Sequence, residues 1–387
     1  MGGKIDKSTF FQTPRRRIIL WPIYPGKKHV TDFRNLDSSN ANLPNGGPSL
    51  PNGDQDAHDA EYALDSRHIA DLIGQIKESA DKLAIDRPSR GDLKIISRTL
   101  RELRYAFKVF TPYRSRRKVT VFGSARTLPD EPAYQQAVHF GRAMADRGWL
   151  VVTGAASGIM EAGHVGAGRE NSMGLNIMLP FEQHSNSIIA GDSKLVHMKY
   201  FFTRKLMFVK ECEAVCLLPG GFGTLDEGLE VLTLLQTGKR DMVPVVFLDP
   251  PGGDFWQPFQ EFVKDRLLAK KLISPEDLSL YTLTDNVDVA VGKILDFYRV
   301  FHSMRYVRNK LVFRLVKTPS EELLDAINEQ FSDILSEGQF VSSQALREEH
   351  DDAALIALPR LAFAFNRRSL GRLRELINFI NRDGLPV

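Results

Sequence analysis

A doubly wound α/β fold, a Rossmann-like parallel sheet with helices on both faces, is what this sequence predicts for residues 118–300. Three observations predict it. Short apolar runs alternate with amphipathic helical stretches from Lys118 onward, which implies parallel strands joined by right-handed crossovers. Glycine-rich or proline-bearing turns follow the strand patterns, at the strand ends where such sheets take up ligands. The most pronounced turn, Pro219-Gly220-Gly221-Phe222-Gly223-Thr224, stands between a buried-strand pattern over 214–218 and a helical pattern reaching about Gln236.

Taken in order, residues 1–57 carry proline, glycine and asparagine clusters without sustained periodicity, and are expected to be disordered or loosely attached. Residues 58–117 hold two helical patterns separated by Arg87-Pro88-Ser89-Arg90-Gly91, which predict a helical hairpin ahead of the main domain. Ile69, Leu72, Ile73 and Ile76 share one face of the first; the second runs over 93–109. Strands are then expected at 119–122, 150–153, 174–179, 214–218 and 244–248, with helices at 134–147, 159–168, 201–210, 224–236 and 255–268. Beyond residue 301 the pattern changes. Strands at 311–316 and 361–365 and helices at 320–335 and 370–380 predict a small α+β domain over 301–387.

Composition narrows the function. A chain of 387 residues suggests two or three domains, and a formal charge of +3 makes no global case for nucleic-acid binding. Cys212 and Cys216 are too few for a disulfide framework and lack a histidine pair at ligand spacing, so both read as reduced packing residues, with no metal expected. The apolar runs fall far short of the roughly 20 residues that span a bilayer, and a cytoplasmic location is expected. Between Arg98 and Lys118 eight Lys or Arg residues face one acid, Glu102: a solvated helix face, or a patch for an anionic partner or effector. The first turn, Gly123-Ser124-Ala125, is not G-x-G-x-x-G, and no P-loop occurs. Dinucleotide and P-loop NTPase readings are thereby demoted, leaving a mononucleotide-sized cleft.

A helix starting near Thr224 leaves amides of Gly220, Gly221, Gly223 and Thr224 without intrahelical partners, which suits an anion such as a phosphate. Leu225, Leu229 and Leu232 form one stripe of that helix, and Glu227 and Glu230 project from roughly the opposite side as non-core residues; Val231 and Leu234 lie beside them, so that second face is expected to be the wall of a cleft or a subunit contact. Two carboxylates near a phosphate site suit chemistry on a sugar phosphate. Thr224-x-x-Glu227 equally fits a capping box, in which Glu227 only closes the helix terminus.

Pro-Gly-Gly-x-Gly-Thr-x-x-Glu at 219–227 resembles the signature of the Lonely Guy (LOG) family of nucleoside 5′-monophosphate phosphoribohydrolases, long mislabelled as lysine decarboxylases. Arg204-Lys205 resembles its Arg-Lys pair, Val121-Phe122-Gly123-Ser124-Ala125 its first strand and turn, and residues 153–162 its second glycine-rich loop. Leu179-Pro180-Phe181-Glu182-Gln183 resembles a segment of longer members. One departure stands out: Gly154-Ala155-Ala156-Ser157-Gly158 replaces the usual Gly-Gly-Gly-Pro-Gly, which is expected to narrow the cleft near sugar or base.

The resemblance implies hydrolysis of the N-ribosidic bond of a nucleoside 5′-monophosphate, with no cofactor and in a homodimer or higher homo-oligomer. Glu227 is then the candidate catalytic carboxylate, with Glu230 sharing its work and Arg204 a fixed charge for phosphate or departing base. Gly123, Ser124, Gly154, Glu182 and Lys205 join Gly220, Gly221, Gly223 and Thr224 as substrate- and phosphate-binding candidates. The alternative is a nucleotide-binding sensor without turnover; lysine decarboxylation, which needs pyridoxal phosphate, is the weakest reading.

Overall fold

A computed structural model describes residues 53–179, 184–349 and 355–383, the side chains of 53–68 excepted. The chain divides into two compact units, 1–87 and 88–387. In the first, helix α1 (Gly53–Asp86) begins inside the stretch expected to be irregular, and its apolar face at Ile69, Leu72, Ile73 and Ile76 is exposed. The rest of that expected irregular stretch, 1–52, lies outside the described residues.

The second unit opens with α2 (Arg90–Phe110), so the two helices expected to form one hairpin fall in different units. Ser89 and Asp92 exchange the two hydrogen bonds of a capping box, which is why the helix starts just after Pro88. The alternation that follows is β1 (Lys118–Phe122), α3 (Pro132–Ala145), β2 (Leu150–Thr153), α4 (Ile159–Ala167), β3 (Ser172–Ile177), β4 (Leu195–Met198) and α5 (Phe201–Glu211). It continues with β5 (Ala214–Leu217), α6 (Phe222–Gln236), β6 (Val245–Leu248), α7 (Gln257–Phe262), β7 (Thr282–Thr284) and α8 (Val287–Phe297). The strands form one seven-stranded sheet in the order β4-β3-β2-β1-β5-β6-β7, and every pairing is parallel. From β1 the order runs one way to β4, and from β5 the other way to β7. The topological switch point therefore lies between β1 and β5, where their following loops diverge and leave a crevice.

Among the described residues no helix is long and apolar enough to cross a membrane. The remaining elements are β8 (Phe301–Val307), β9 (Lys310–Leu315), α9 (Glu321–Gln330), β10 (Leu335–Ser343), β11 (Arg360–Phe365) and α10 (Leu370–Asn381). Their four strands form an antiparallel sheet, β10-β11-β9-β8. The helix expected to reach residue 335 stops at Gln330, because Leu335 is the first residue of a strand paired with Phe365. One apolar cluster runs from Val152, Met173 and Leu217 of the parallel sheet through Phe247, Phe297 and Phe301 to Phe313 and Phe363. Asn381 of α10 accepts the amides of Val300 and Phe301 and donates to Phe297 O, pinning the last helix where the first sheet ends.

Candidate functional site

The loops after β1, β2, β3 and β5 surround a cavity of about 730 Å³ at the carboxyl edge of the sheet. Its walls include Ser124, Gly154, Asn176, Arg204, Gly223 and Glu227. The first and fourth of these loops are tied to each other across the switch point: Ser124 N donates to Pro219 O at 3.0 Å, and Leu218 N to Phe122 O at 2.9 Å. Gly220 is required by close approach. A Cβ there would stand 2.1 Å from Thr224 Oγ1 and 3.0 Å from Ser124 N, so no other residue lets the loop fold onto both.

Helix α6 begins two residues earlier than Thr224, with Gly221 as its N-cap and no side-chain cap. The Thr224 amide donates to Gly221 O at 3.0 Å and is turned into the helix, whereas Phe222 and Gly223 occupy the first two helical positions and have no carbonyl behind them. The anion cradle thus comprises fewer amides than expected. The capping box is not formed, since Glu227 lies in the second turn and faces the cavity.

Burial corrects a second expectation. Glu227 is 5% exposed, and Thr224, Gly228, Val231 and Leu235 share its buried face, while Leu229 is 48% exposed. The reason is Gly228: a Cβ would stand 2.5 Å from Leu217 Cδ2, so the helix rolls its small residue onto β5 and carries Glu227 down against the sheet edge. Desolvation there pushes the carboxyl up to about 7; Lys205 and Arg204 oppose the shift.

Arg204 and Lys205 take different directions from α5. The Arg204 guanidinium lies between the rings of Phe201 (5.1 Å) and Phe208 (5.7 Å) on the cavity wall, and its buried Nε has no hydrogen-bond partner among the described residues. Burial lowers its pKa, against the pull of Glu227. Lys205 instead bonds Asp226 at 2.8 Å and Glu230 at 2.5 Å on α6. Neither Lys205 nor Glu230 lines the cavity, so their placement favours locking α5 to α6 over touching a ligand. Glu182 lies outside the described residues.

The second loop departs from the expectation of a narrowed cleft at Ala155. Its φ is 58°, yet its methyl group is fully buried with Ile189 and Leu195, away from the cavity, and only Ala156 of the two alanines lines it. The loop is held from behind by residues that motif reading passes over. His164, 0% exposed, places Nε2 3.0 Å from Met173 O and 3.1 Å from Thr153 Oγ1. A carbonyl can only accept, so Nε2 carries the proton and Nδ1 accepts from Asn186 Nδ2 at 3.2 Å. Desolvation lowers this histidine to about 4, keeping it neutral. Asn186 also donates its backbone amide to Ala155 O and its side chain to Ala156 O. Asn176, 4% exposed at the end of β3, lines the same cavity, and its buried Oδ1 has no hydrogen-bond partner among the described residues. An isolated Asn carries no motif, and only its place on the strand end marks it.

Residues 153–294 match the family described as "Possible lysine decarboxylase". The cytokinin riboside 5′-monophosphate phosphoribohydrolase LOG7 of Arabidopsis thaliana is 27% identical over 206 residues, which are 51% of this chain and 90% of that relative. The enzyme LOG of Oryza sativa subsp. japonica, of the same printed name, is 33% identical over 154 residues, 38% of this chain and 60% of its own length. Among solved structures, the molybdenum cofactor carrier protein of Chlamydomonas reinhardtii is 19% identical, covering 46% of this chain and 98% of its own, with a TM-score of 0.33.

Proposed function

This chain carries a LOG-type domain, and from that premise we propose that it hydrolyses the N-ribosidic bond of a nucleoside 5′-monophosphate to free base and ribose 5-phosphate. The observation that carries the reading is one cavity holding the Phe222 and Gly223 amides, the unpartnered Arg204 Nε and the buried Glu227 carboxyl. The amides take the 5′-phosphate at the positive end of α6. The base then points along the cavity toward β3, which stands three strand spacings from β5, about 14 Å at ~4.8 Å each. Asn176 Oδ1 accepts a hydrogen bond from the base at that end.

Glycosidic cleavage passes through an oxocarbenium-like state. Glu227, ionised, stabilises the positive charge at the anomeric carbon as the C–N electron pair leaves with the base; it takes a proton from the attacking water, whose oxygen bonds that carbon, and passes the proton on to the departed base. Arg204 supplies fixed charge and a donor for the phosphate or the departing base. Remote binding of the phosphate positions the reacting bond. Phe201 and Phe222 of the cavity lining are exposed, Phe222 at 93%, as are Phe202 and Leu206 on α5, and a second copy of the chain covers them in a cytoplasmic homodimer.

The test is incubation of purified protein with AMP, GMP, CMP and a cytokinin ribotide, with chromatography for free base. Release from at least one supports the reading; binding without release of any favours a nucleotide sensor. Light scattering at the mass of one chain would remove the dimer.

A further inference from the structure

Away from the cleft, a groove of about 580 Å³ runs between the first half of α2 and the residues entering α5. Arg90, Lys94, Arg98 and Arg101 line it from α2, and Lys199 and Tyr200 from the other side. At 100° per residue the four α2 cations fall on one helical face. Among the described residues only Arg98 of the five cations has an acidic partner, Glu102 at 2.7 Å. Arg90 and Lys94, Lys94 and Arg98, and Arg98 and Arg101 are like-charge pairs at the spacings where such pairs destabilise a helix. Two other cations of the basic segment are engaged elsewhere. Arg116 bonds Gly148 O and Asn171 Oδ1, and the Arg117 guanidinium lies 3.5 Å from the Tyr298 ring centre.

Glu102 connects the groove to the cleft. It is 5% exposed and accepts Arg98 Nε at 2.7 Å, Lys199 N at 2.8 Å and Thr203 Oγ1 at 2.8 Å. Those bonds hold its carboxyl below the usual range although burial alone would raise it. Thr203 is the residue before Arg204, which lines the cleft.

We propose that this groove binds a small polyanion bearing a run of phosphates, inorganic or on a nucleoside, and that occupancy alters the cleft by drawing Arg98 from Glu102. Guanidinium and ammonium groups from two facing elements can engage successive phosphates together. A bounded groove on a chain with a formal charge of only +3 suits a compact ligand better than an extended nucleic acid.

The experiment is calorimetric titration of the full chain with sodium tripolyphosphate and, separately, ATP, repeated on Lys94→Glu/Arg101→Glu, on Lys94→Arg/Arg101→Lys and on the cleft variant Gly223→Asp. Circular dichroism verifies folding of each. Expected is binding that weakens at least about ten-fold in the charge-reversed pair, survives in the charge-conserving pair and in Gly223→Asp, and falls with salt. Tighter tripolyphosphate than ATP would mark an inorganic ligand, the reverse a nucleotide. No binding up to about 1 mM, unchanged binding in the charge-reversed pair, or loss in Gly223→Asp alone would overturn the site. Tighter binding of a single-stranded oligonucleotide, lost in the same pair, would replace it with a nucleic-acid surface. The link to the cleft is read as the factor by which saturating tripolyphosphate changes AMP affinity; a factor of one removes it. The titrations need no turnover, so their failure and a failure of the hydrolase reading are separately visible.

Discussion

Lys205 holds its ammonium 2.5 Å from Glu230 and 2.8 Å from Asp226 while Glu227 stands 3.9 Å away. One cation thus serves the two outer acids of α6 and leaves the inner one underpaired against a dehydrated wall. Helix α6 thereby carries two kinds of carboxylate, one fixing it to α5 and one poised to exchange a proton near neutrality.

Replacing Glu227 by Gln keeps the shape and removes the charge. Base release from AMP should fall by about 10²–10⁴-fold in kcat with nucleotide affinity little changed. Single-turnover assay beside calorimetric binding reads both, and undiminished release would remove Glu227 from the chemistry.

Activity should rise with pH through about 7, because the base form of Glu227 is gained there. Stability should run the other way. The folded chain holds the Glu227 proton to about 7 against 4.5 for the ordinary carboxyl, so between these values it binds more protons than the unfolded chain and is destabilised as pH rises. Glu227→Gln should therefore be more stable than the parent by roughly 3 kcal/mol at pH 8 and equal to it near pH 4. Urea melts at the two pH values check it; a gain at pH 4 equal to that at pH 8 would contradict it.

Lys205→Met removes the nearest cation and leaves Asp226 and Glu230 uncompensated, both of which act to raise Glu227. The acidic limb of the pH–rate profile should move up by roughly one pH unit, with kcat at its plateau largely kept. Lys205→Arg should restore the limb. A limb unmoved by Met would mean that another group titrates.

Asn176→Leu deletes the polar group at the far end of the cavity. For AMP or CMP, whose bases carry an exocyclic amine, kcat/KM should drop by about 10–100-fold, and for UMP, which lacks one, by less. Equal losses on all three would place the base elsewhere.

The parallel sheet was legible because its buried strands, such as residues 119–122 and Ala214–Leu217, are mostly apolar runs followed by glycine-bearing turns. Strands β4 and β7 were not: Leu195–Met198 contains His197, and Thr282–Thr284 is only three residues long. Strand β10 has mostly exposed positions and a Gly338 with φ of 70°, so its alternation is weak. The cleft at the sheet edge was legible through glycine spacing, and Arg204 and Glu227 through resemblance. What spacing misjudged was depth: Leu225 and Leu232 do pack against the core, but Glu227 on the cleft-facing side is itself buried while Leu229 of the stripe is exposed. His164 and Asn186 left no pattern, since buried polar partners separated along the chain meet only after folding, and Asn176 is marked only by its place at a strand end.

The bare backbone at residue 228 sets how deep Glu227 is seated. One added methyl group, as in Gly228→Ala, would meet Leu217 and lift the helix like a shim under a hinge. The first thing to change would be neither the residues that touch substrate nor the fold, but the wetness around residue 227. Water admitted there would return its acidity toward that of an ordinary glutamate, so a substitution with no atom in the pocket could retune the pH at which the pocket works.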